Sequence, residues 1–285
     1  MDIGIGLPNT LRGPGAALPE WARRAEERGF AALATIDRIV YPNYDSLTAL
    51  AVAAGATSRI RLLTDILLAP AYPPVWLAKA SASLDAMSGG RLTLGLGVGG
   101  RPDDYAAMDR RYERRGRLMD ETLDLLHRSW AGESVTGDAH PVGPAPAAGN
   151  RIPILIGGTS DAAVDRTVKY AEGWTAGGGS PDQVAGMVGT VRRAWRDAGR
   201  DGEPRFAAMV YFGLGDDEAS RSALTHYYSF LGDQVAGAVA GSAVRSVEAV
   251  RESVRRFAEV GVTELLFYPS IAAVDQVDRL ADAVF

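Results

Sequence analysis

Gly157-Gly158-Thr159-Ser160 sets two glycines and two hydroxyls directly after a short apolar segment and at the start of a helical pattern. Backbone N–H groups at such a junction, aided by the helix dipole, can hold an anion, and glycine lets the chain approach a phosphate closely. A plain turn with Ser or Thr capping the helix would use the same residues, and Asp161 in the first turn already answers the dipole. Two further glycine runs could border the same anion. One is Gly97-Val98-Gly99-Gly100, followed by Arg101; the other is Gly177-Gly178-Gly179-Ser180. Arg101 is either a phosphate contact or a solvated surface arginine. Tyr268-Pro269-Ser270, at the end of the last apolar segment, has no glycine cradle, so the junction at 157–160 is the preferred phosphate site.

Three residues are candidates for catalysis. Asp37 and Arg38 follow the second apolar segment, where the carboxylate can line a pocket or cap a turn and the guanidinium can hold an anionic substrate. His226 stands beside Tyr227 and Tyr228 and is the one histidine placed to reach a site. His127 falls in a helical pattern and His140 in a Pro/Gly-rich stretch. Three scattered histidines and no cysteine exclude thiol catalysis, disulfides and a cysteine-ligated zinc, and leave no metal site to propose. Tyr41, Tyr44, Tyr72, Tyr211, Tyr227, Tyr228 and Tyr268 include several on loops that could face a flat ligand or pack the rim.

These residues need a scaffold, and strand and helix patterns alternate along the whole chain. Strands are predicted at 3–7, 30–35, 61–66, 91–97, 153–157, 173–176, 205–212 and 264–268. Helices are predicted at 18–28, 47–56, from Pro74 to Ser88, and at 113–130, 161–170 and 183–198. Two more carry Val247 to Phe257 and Val274 to Val284. Residues 131–152, rich in Gly, Pro and Ala, read as a long surface connection. Eight strand–helix units joined by short turns specify an α/β fold, a single (β/α)8 TIM barrel spanning 1–285. Residues 213–245 interrupt the rhythm between strand seven and its helix, and read as a lid inserted over the mouth. Active sites on this fold lie at the carboxyl ends of the strands, where every candidate above falls.

The composition agrees. With 285 residues, 47% hydrophobic and 23% charged, the chain can bury a large core, and a net charge of −5 with scattered basic residues argues against a nucleic-acid surface. No apolar run reaches membrane-spanning length, and the start enters a strand without a basic leader, so a cytoplasmic location without membrane partners is expected.

From Phe30 to about Gly202 the chain resembles the bacterial luciferase-like monooxygenase family, including its deazaflavin branch. The likeness rests on Asp37, the run from Thr57 to Pro70, the Ser88-Gly89-Gly90-Arg91-Leu92 turn, the arginine-rich helix start around Tyr112 to Glu121, the Gly157–Ser160 cradle and Gly173-Trp174. The resemblance implies a noncovalent cofactor. This is reduced FMN supplied by a separate flavin reductase and used to oxygenate a small organic molecule, or coenzyme F420 used for hydride transfer. It also implies a homodimer. By the same resemblance Arg117 faces the cofactor phosphate, and Asp65-Ile66 forms a bulge with a cis peptide beneath the ring. Relatives usually hold a small residue where Asp65 stands and a histidine where Arg38 stands. The missing histidine favours reduced FMN. A degenerate partner subunit and an unrelated barrel enzyme acting on a phosphorylated substrate are the other readings.

Overall fold

Eight parallel strands close into a barrel in chain order: β1 (Asp2–Gly6), β2 (Ala32–Thr35), β3 (Arg61–Leu67), β4 (Leu92–Leu96), β5 (Ile154–Gly157), β6 (Gly173–Ala176), β7 (Arg205–Phe212) and β8 (Glu264–Pro269). The structure is a computed structural model that describes residues 1–13, 15–135, 137 and 140–285. The helices are α1 (Leu18–Glu27), α2 (Ser46–Ala56), α3 (Pro74–Ser88), α4 (Pro102–Ala107), α5 (Arg115–Trp130), α6 (Asp161–Tyr170), α7 (Pro181–Asp197), α8 (Asp217–Tyr228), α9 (Asp233–Ser242), α10 (Val247–Glu259) and α11 (Gln276–Val284). The barrel expected from the strand–helix rhythm is the fold that forms.

Local chemistry sets the boundaries. Asp45, Ser160, Asp216 and Ser246 each accept a hydrogen bond from an otherwise unpaired N–H in the first turn of the following helix. Ser180 and Gln183 form a reciprocal capping box, which starts α7 at Pro181, two residues before the predicted start. The predicted helix at 113–130 begins at Arg115 after a 3-10 turn over Tyr112–Arg114, and the short α4, opened by Pro102, was not anticipated.

Two apolar assemblies result. Side chains on the outer face of the strands pack against the helices, with Trp21, Leu50, Leu77, Leu126 and Leu280 fully buried. The inner face holds small and medium residues, Ala34, Leu63, Leu155, Ala207 and Leu266, topped by Met209, Tyr211 and Tyr268. The amino-terminal mouth is closed by Glu264, only 4% exposed, which accepts from Arg61 at 3.0 Å and Arg205 at 3.1 Å. Residues 213–245 form α8, a 3-10 turn at Ser229–Leu231 and α9. Leu224, Ala240 and Ala243 of this segment pack onto Tyr211 and Tyr268, so it lies over the carboxyl ends of the strands.

The pairing of β3 with β4 is irregular. Thr64 pairs with Leu94, but Leu67 pairs with Leu96, so β3 carries one residue more than its neighbour. The Asp65–Ile66 peptide within this bulge is cis. A Cβ on Gly95 would lie 2.0 Å from the Thr64 carbonyl oxygen, so only glycine fits opposite the bulge.

Candidate active site at the carboxyl end of the barrel

The cradle at 157–160 joins β5 to α6. Gly158 adopts φ +120°, a conformation that L side chains rarely take, and Ser160 caps α6 by accepting from the Ala163 N–H at 3.3 Å. From β6, Trp174 donates its indole N–H to the Gly158 carbonyl at 2.7 Å, which fixes the turn and leaves Thr159 and Ser160 exposed. Gly178 and Gly179, at φ +115° and +122°, form the facing lip. A cavity of about 560 Å³ lies between the two turns, lined by Gly158, Thr159, Trp174, Gly177, Gly178 and Gln183. A second, of about 640 Å³, shares Gly177, Gly178 and Gln183 with it and runs past Met209, Tyr211 and Tyr228 to Val239 of α9. The two adjoin at these three residues, between the turn that opens α6 and the insertion.

The bulge of β3 abuts the glycines of β4 and β5. Ile66 packs so close to Gly97 that an added Cβ would lie 2.1 Å from Ile66 Cδ1, and one on Gly157 would lie 3.1 Å from Ile66 Cγ2. Asp65, 3% exposed, accepts from the Thr175 hydroxyl at 2.6 Å through Oδ1, while Oδ2 is buried without a partner among the described residues. β3 and β6 stand three strands apart in the closed barrel, so this bond crosses its interior. Burial pushes the Asp65 carboxyl up to about 7, against the opposing pull of the Thr175 hydrogen bond.

Asp37 and Arg38 diverge. Asp37 Oδ2 accepts from the Leu68 N–H at 3.0 Å, and the Tyr72 hydroxyl lies 3.0 Å from each carboxylate oxygen, so the group ties the loop after β2 to the loop after β3. Burial raises this carboxyl to about 7, with the Leu68 and Tyr72 bonds pulling it down. Both oxygens serve the chain itself, which corrects the expectation that Asp37 faces a reacting group. Arg38 donates to the Tyr227 carbonyl at 2.8 Å. Its guanidinium carbon lies 4.2, 5.0 and 4.7 Å from the ring centroids of Tyr41, Tyr227 and Phe230. It fastens the insertion to the barrel, and burial, with Arg101 nearby, lowers its proton affinity.

Other candidates are placed differently from the sequence reading. His226 is exposed and turns outward, beside Tyr41 and a separate crevice of about 480 Å³ lined by Thr10, Arg12 and Ser270; helical spacing sends its neighbour Tyr227 inward instead. Arg101 pairs with Asp103 and Asp104 and covers Phe230 at 4.4 Å, so its charge is already met. Gly99 has φ +66° and its missing Cβ would meet Leu68 Cδ2 at 2.6 Å; it permits close packing. Arg117, 74% exposed in its side chain, pairs with Glu121 one turn on, and no contact among the described residues links it to the cradle. His127 packs between Trp130 and Tyr170.

Several residues that shape the site went unread. Asp104, fully buried, accepts from the Ile39 and Val40 N–H groups at 3.0 and 2.7 Å and so moulds the loop after β2 from the loop after β4. Thr175 carries no motif of its own, and Trp174 entered only through the Gly173-Trp174 pair; for Thr175 the one signal is its place beside the third glycine run. Tyr211 and Tyr228, by contrast, are among the tyrosines the sequence offers for the mouth, and their hydroxyls share a hydrogen bond at 2.8 Å beside the larger cavity.

Fold and cavities together define an α/β-barrel protein with adjoining cavities at the carboxyl end of the strands. The chain belongs to the luciferase-like monooxygenase family, whose profile matches residues 1–253. It is 31% identical over 206 residues to an uncharacterised protein of Mycobacterium tuberculosis, a match covering 63% of this chain and 71% of that one. It is 29% identical over 221 residues to a putative coenzyme F420-dependent oxidoreductase of the same species, covering 70% and 61%. A pyrimidine monooxygenase of Escherichia coli is 28% identical over 200 residues, covering 65% and 54%. In structure it is similar to a monooxygenase from Streptomyces bottropensis, with TM-score 0.80, 22% identity and coverage of 99% and 97%. It is also similar to an F420-dependent secondary alcohol dehydrogenase, with TM-score 0.79, 18% identity and coverage of 100% and 98%. Both likenesses are likenesses of fold.

Proposed function

We propose that this chain is a flavin-dependent oxidoreductase, a monooxygenase that uses reduced FMN from a separate reductase, and oxygen, on a small organic substrate. The observation that carries the reading is the pair of adjoining cavities, one lined by Gly158 and Thr159 of the turn before α6 and the other by Tyr211 and Tyr228, which sets a helix start able to hold an anion beside an aromatic, apolar chamber. Gly158, Thr159, Ser160, Gly178 and Gly179 would hold the phosphate, with Ile66 supporting the ring at the bulge. The bound flavin supplies the oxygen chemistry; the chain orients it and excludes water. Exclusion is the task we assign to residues 213–245, whose α8 and α9 lie over the strand ends and are latched by Arg38.

The second reading is hydride transfer with coenzyme F420, favoured by the putative F420-dependent relative at 29% identity. Against it stands Arg38, where the family resemblance leads one to expect a histidine, already engaged with the Tyr227 carbonyl. Anaerobic fluorescence titration with FMN, reduced FMN and F420 separates the two. The proposal expects reduced FMN to bind tightest and binding of F420 alone would overturn it. Binding of none would overturn both readings in favour of a non-catalytic subunit. A cytoplasmic homodimer belongs to the same proposal, with Val52 of α2 and Val75, Trp76 and Met87 of α3 as exposed apolar residues a second copy would cover. Sedimentation as a monomer would remove that part.

A further inference from the structure

A third cavity takes no part in the site described above. The crevice of about 480 Å³ beside His226 runs between the loop after β1, the loop after β8 and α8, and shares no lining residue with the other two. Its walls are apolar, with Leu11 and Ile271 on the barrel loops and Ala219 and Ala223 on α8, and the exposed Arg12 stands at its rim. We propose that this crevice is a binding site for a small organic carboxylate, whose head pairs with Arg12 and whose hydrocarbon body lies along these walls. The inference stands apart from the choice of cofactor.

Both walls are fixed without a ligand. Asn9, fully buried, donates to the Ile36 and Tyr44 carbonyls at 2.8 and 3.2 Å, and the Tyr44 hydroxyl donates to the Gly13 carbonyl at 2.9 Å. The segment carrying Thr10, Leu11 and Arg12 is therefore pinned at both ends. On the other wall α8 is held at Ser220, whose hydroxyl lies 2.8 Å from that of Ser270, and at Tyr227, whose carbonyl accepts from Arg38. A space between two tethered walls keeps its shape, so a ligand that enters it loses little to reorganisation of the protein.

The ligand class follows from the groups that line the space. Arg12 has no ion pair and no side-chain hydrogen bond among the described residues, whereas Arg38 and Arg101, the other arginines near this mouth, are both engaged. No carboxylate lines the crevice; Asp217 and Glu218 line an adjoining hollow on α8. His226 adds a ring N–H, and Thr10 and Ser222 add hydroxyls. One guanidinium with a few neutral donors suits a monoanion, and the apolar walls suit its hydrocarbon body. A phosphate dianion would find no second arginine or lysine among the lining residues and would leave those walls unused. Because the ligand touches the barrel loops and α8 together, its binding favours the docked position of the insertion.

The test titrates the purified protein with octanoate, 1-octanol and inorganic phosphate by calorimetry, and repeats the first two on Arg12→Gln and Ala223→Trp. Octanoate should saturate the natural protein with a dissociation constant below about 1 mM. Arg12→Gln should bind octanoate at least about threefold more weakly and 1-octanol as before, the size expected of one ion pair at a rim. Ala223→Trp, which fills the space, should bind neither. Octanoate should also slow amide exchange in 217–228 of the natural protein. Absence of saturable octanoate binding, equal weakening of 1-octanol by Arg12→Gln, or phosphate binding tighter than octanoate overturns the proposal. Octanoate binding that survives Ala223→Trp overturns it too, since the acid would then lie elsewhere. If Ala223→Trp does not fold, judged by its melting curve, amide exchange decides: slowing in 217–228 supports the site and its absence overturns it.

Discussion

The Arg38 guanidinium donates to the Tyr227 carbonyl at 2.8 Å, across 189 positions of sequence, and is roofed by three aromatic rings. This is the principal polar tie between the loop after β2 and the insertion. Arg38→Met keeps much of the packing but loses the hydrogen bond and the cation–ring attraction, together about 1–3 kcal/mol. Amide exchange in 217–242 should therefore quicken at least tenfold while exchange in the β-strands is unchanged. Uniform loosening of the whole barrel would show instead that the insertion is part of the global folding unit.

Stability should fall as pH rises from 5 to 8. Asp37 and Asp65, both raised from 3.8 to about 7, hold protons in the folded chain that the unfolded chain has already released. Their contribution is full below about pH 4 and is gone once the pH passes about 7, on the order of 2 kcal/mol per group between pH 5 and 8. His127, whose pKa burial lowers, works in the opposite direction through the same window. Urea unfolding of Asp65→Asn should show a shallower decline than the natural protein, and an identical slope would refute the raised value for Asp65.

Gly95→Ala should be among the most damaging single-methyl changes in the chain. The new Cβ would collide with a backbone oxygen at 2.0 Å, which cannot move without unmaking the bulge. A loss of more than about 3 kcal/mol, or failure to fold, is expected. Gly97→Ala meets the end of a flexible side chain at 2.1 Å and should cost less. Equal costs would mean that the bulge yields as readily as the Ile66 side chain.

Gly158→Val tests the cradle. At φ +120° a β-branched residue is strained, and its Cβ would sit 3.3 Å from that of Ala163. The variant should lose about 1–3 kcal/mol of stability and bind FMN at least tenfold more weakly at a temperature where it remains folded. Unchanged affinity in the folded variant would move the phosphate to the lip formed by Gly178 and Gly179.

The strand–helix rhythm was legible because a parallel barrel buries both faces of its strands, leaving apolar runs such as Arg205–Phe212 bounded by turn residues. The glycine turns at 157–160 and 177–179 were legible for the same local reason. Side-chain destinations were not. Arg101, Arg117 and His226 had the right chemistry at mouth-proximal positions, but Asp103, Asp104 and Glu121 lay close enough in sequence to claim the two arginines, and the helical phase of α8 turned His226 outward. The partnership of Asp65 with Thr175 spans 110 residues and depends on barrel closure, so no window of sequence contains it.

Asp104, in the first turn of α4 beyond β4, gives the loop after β2 its shape by accepting from the Ile39 and Val40 amides, 65 and 64 residues away in sequence. The two loops are therefore one interchangeable part. A chimera that takes residues 36–45 from a relative without the matching 98–108 would carry a segment whose backbone donors point at nothing. Moving both together would transplant a mouth already folded, and that pair is the natural unit for redesigning what this barrel admits.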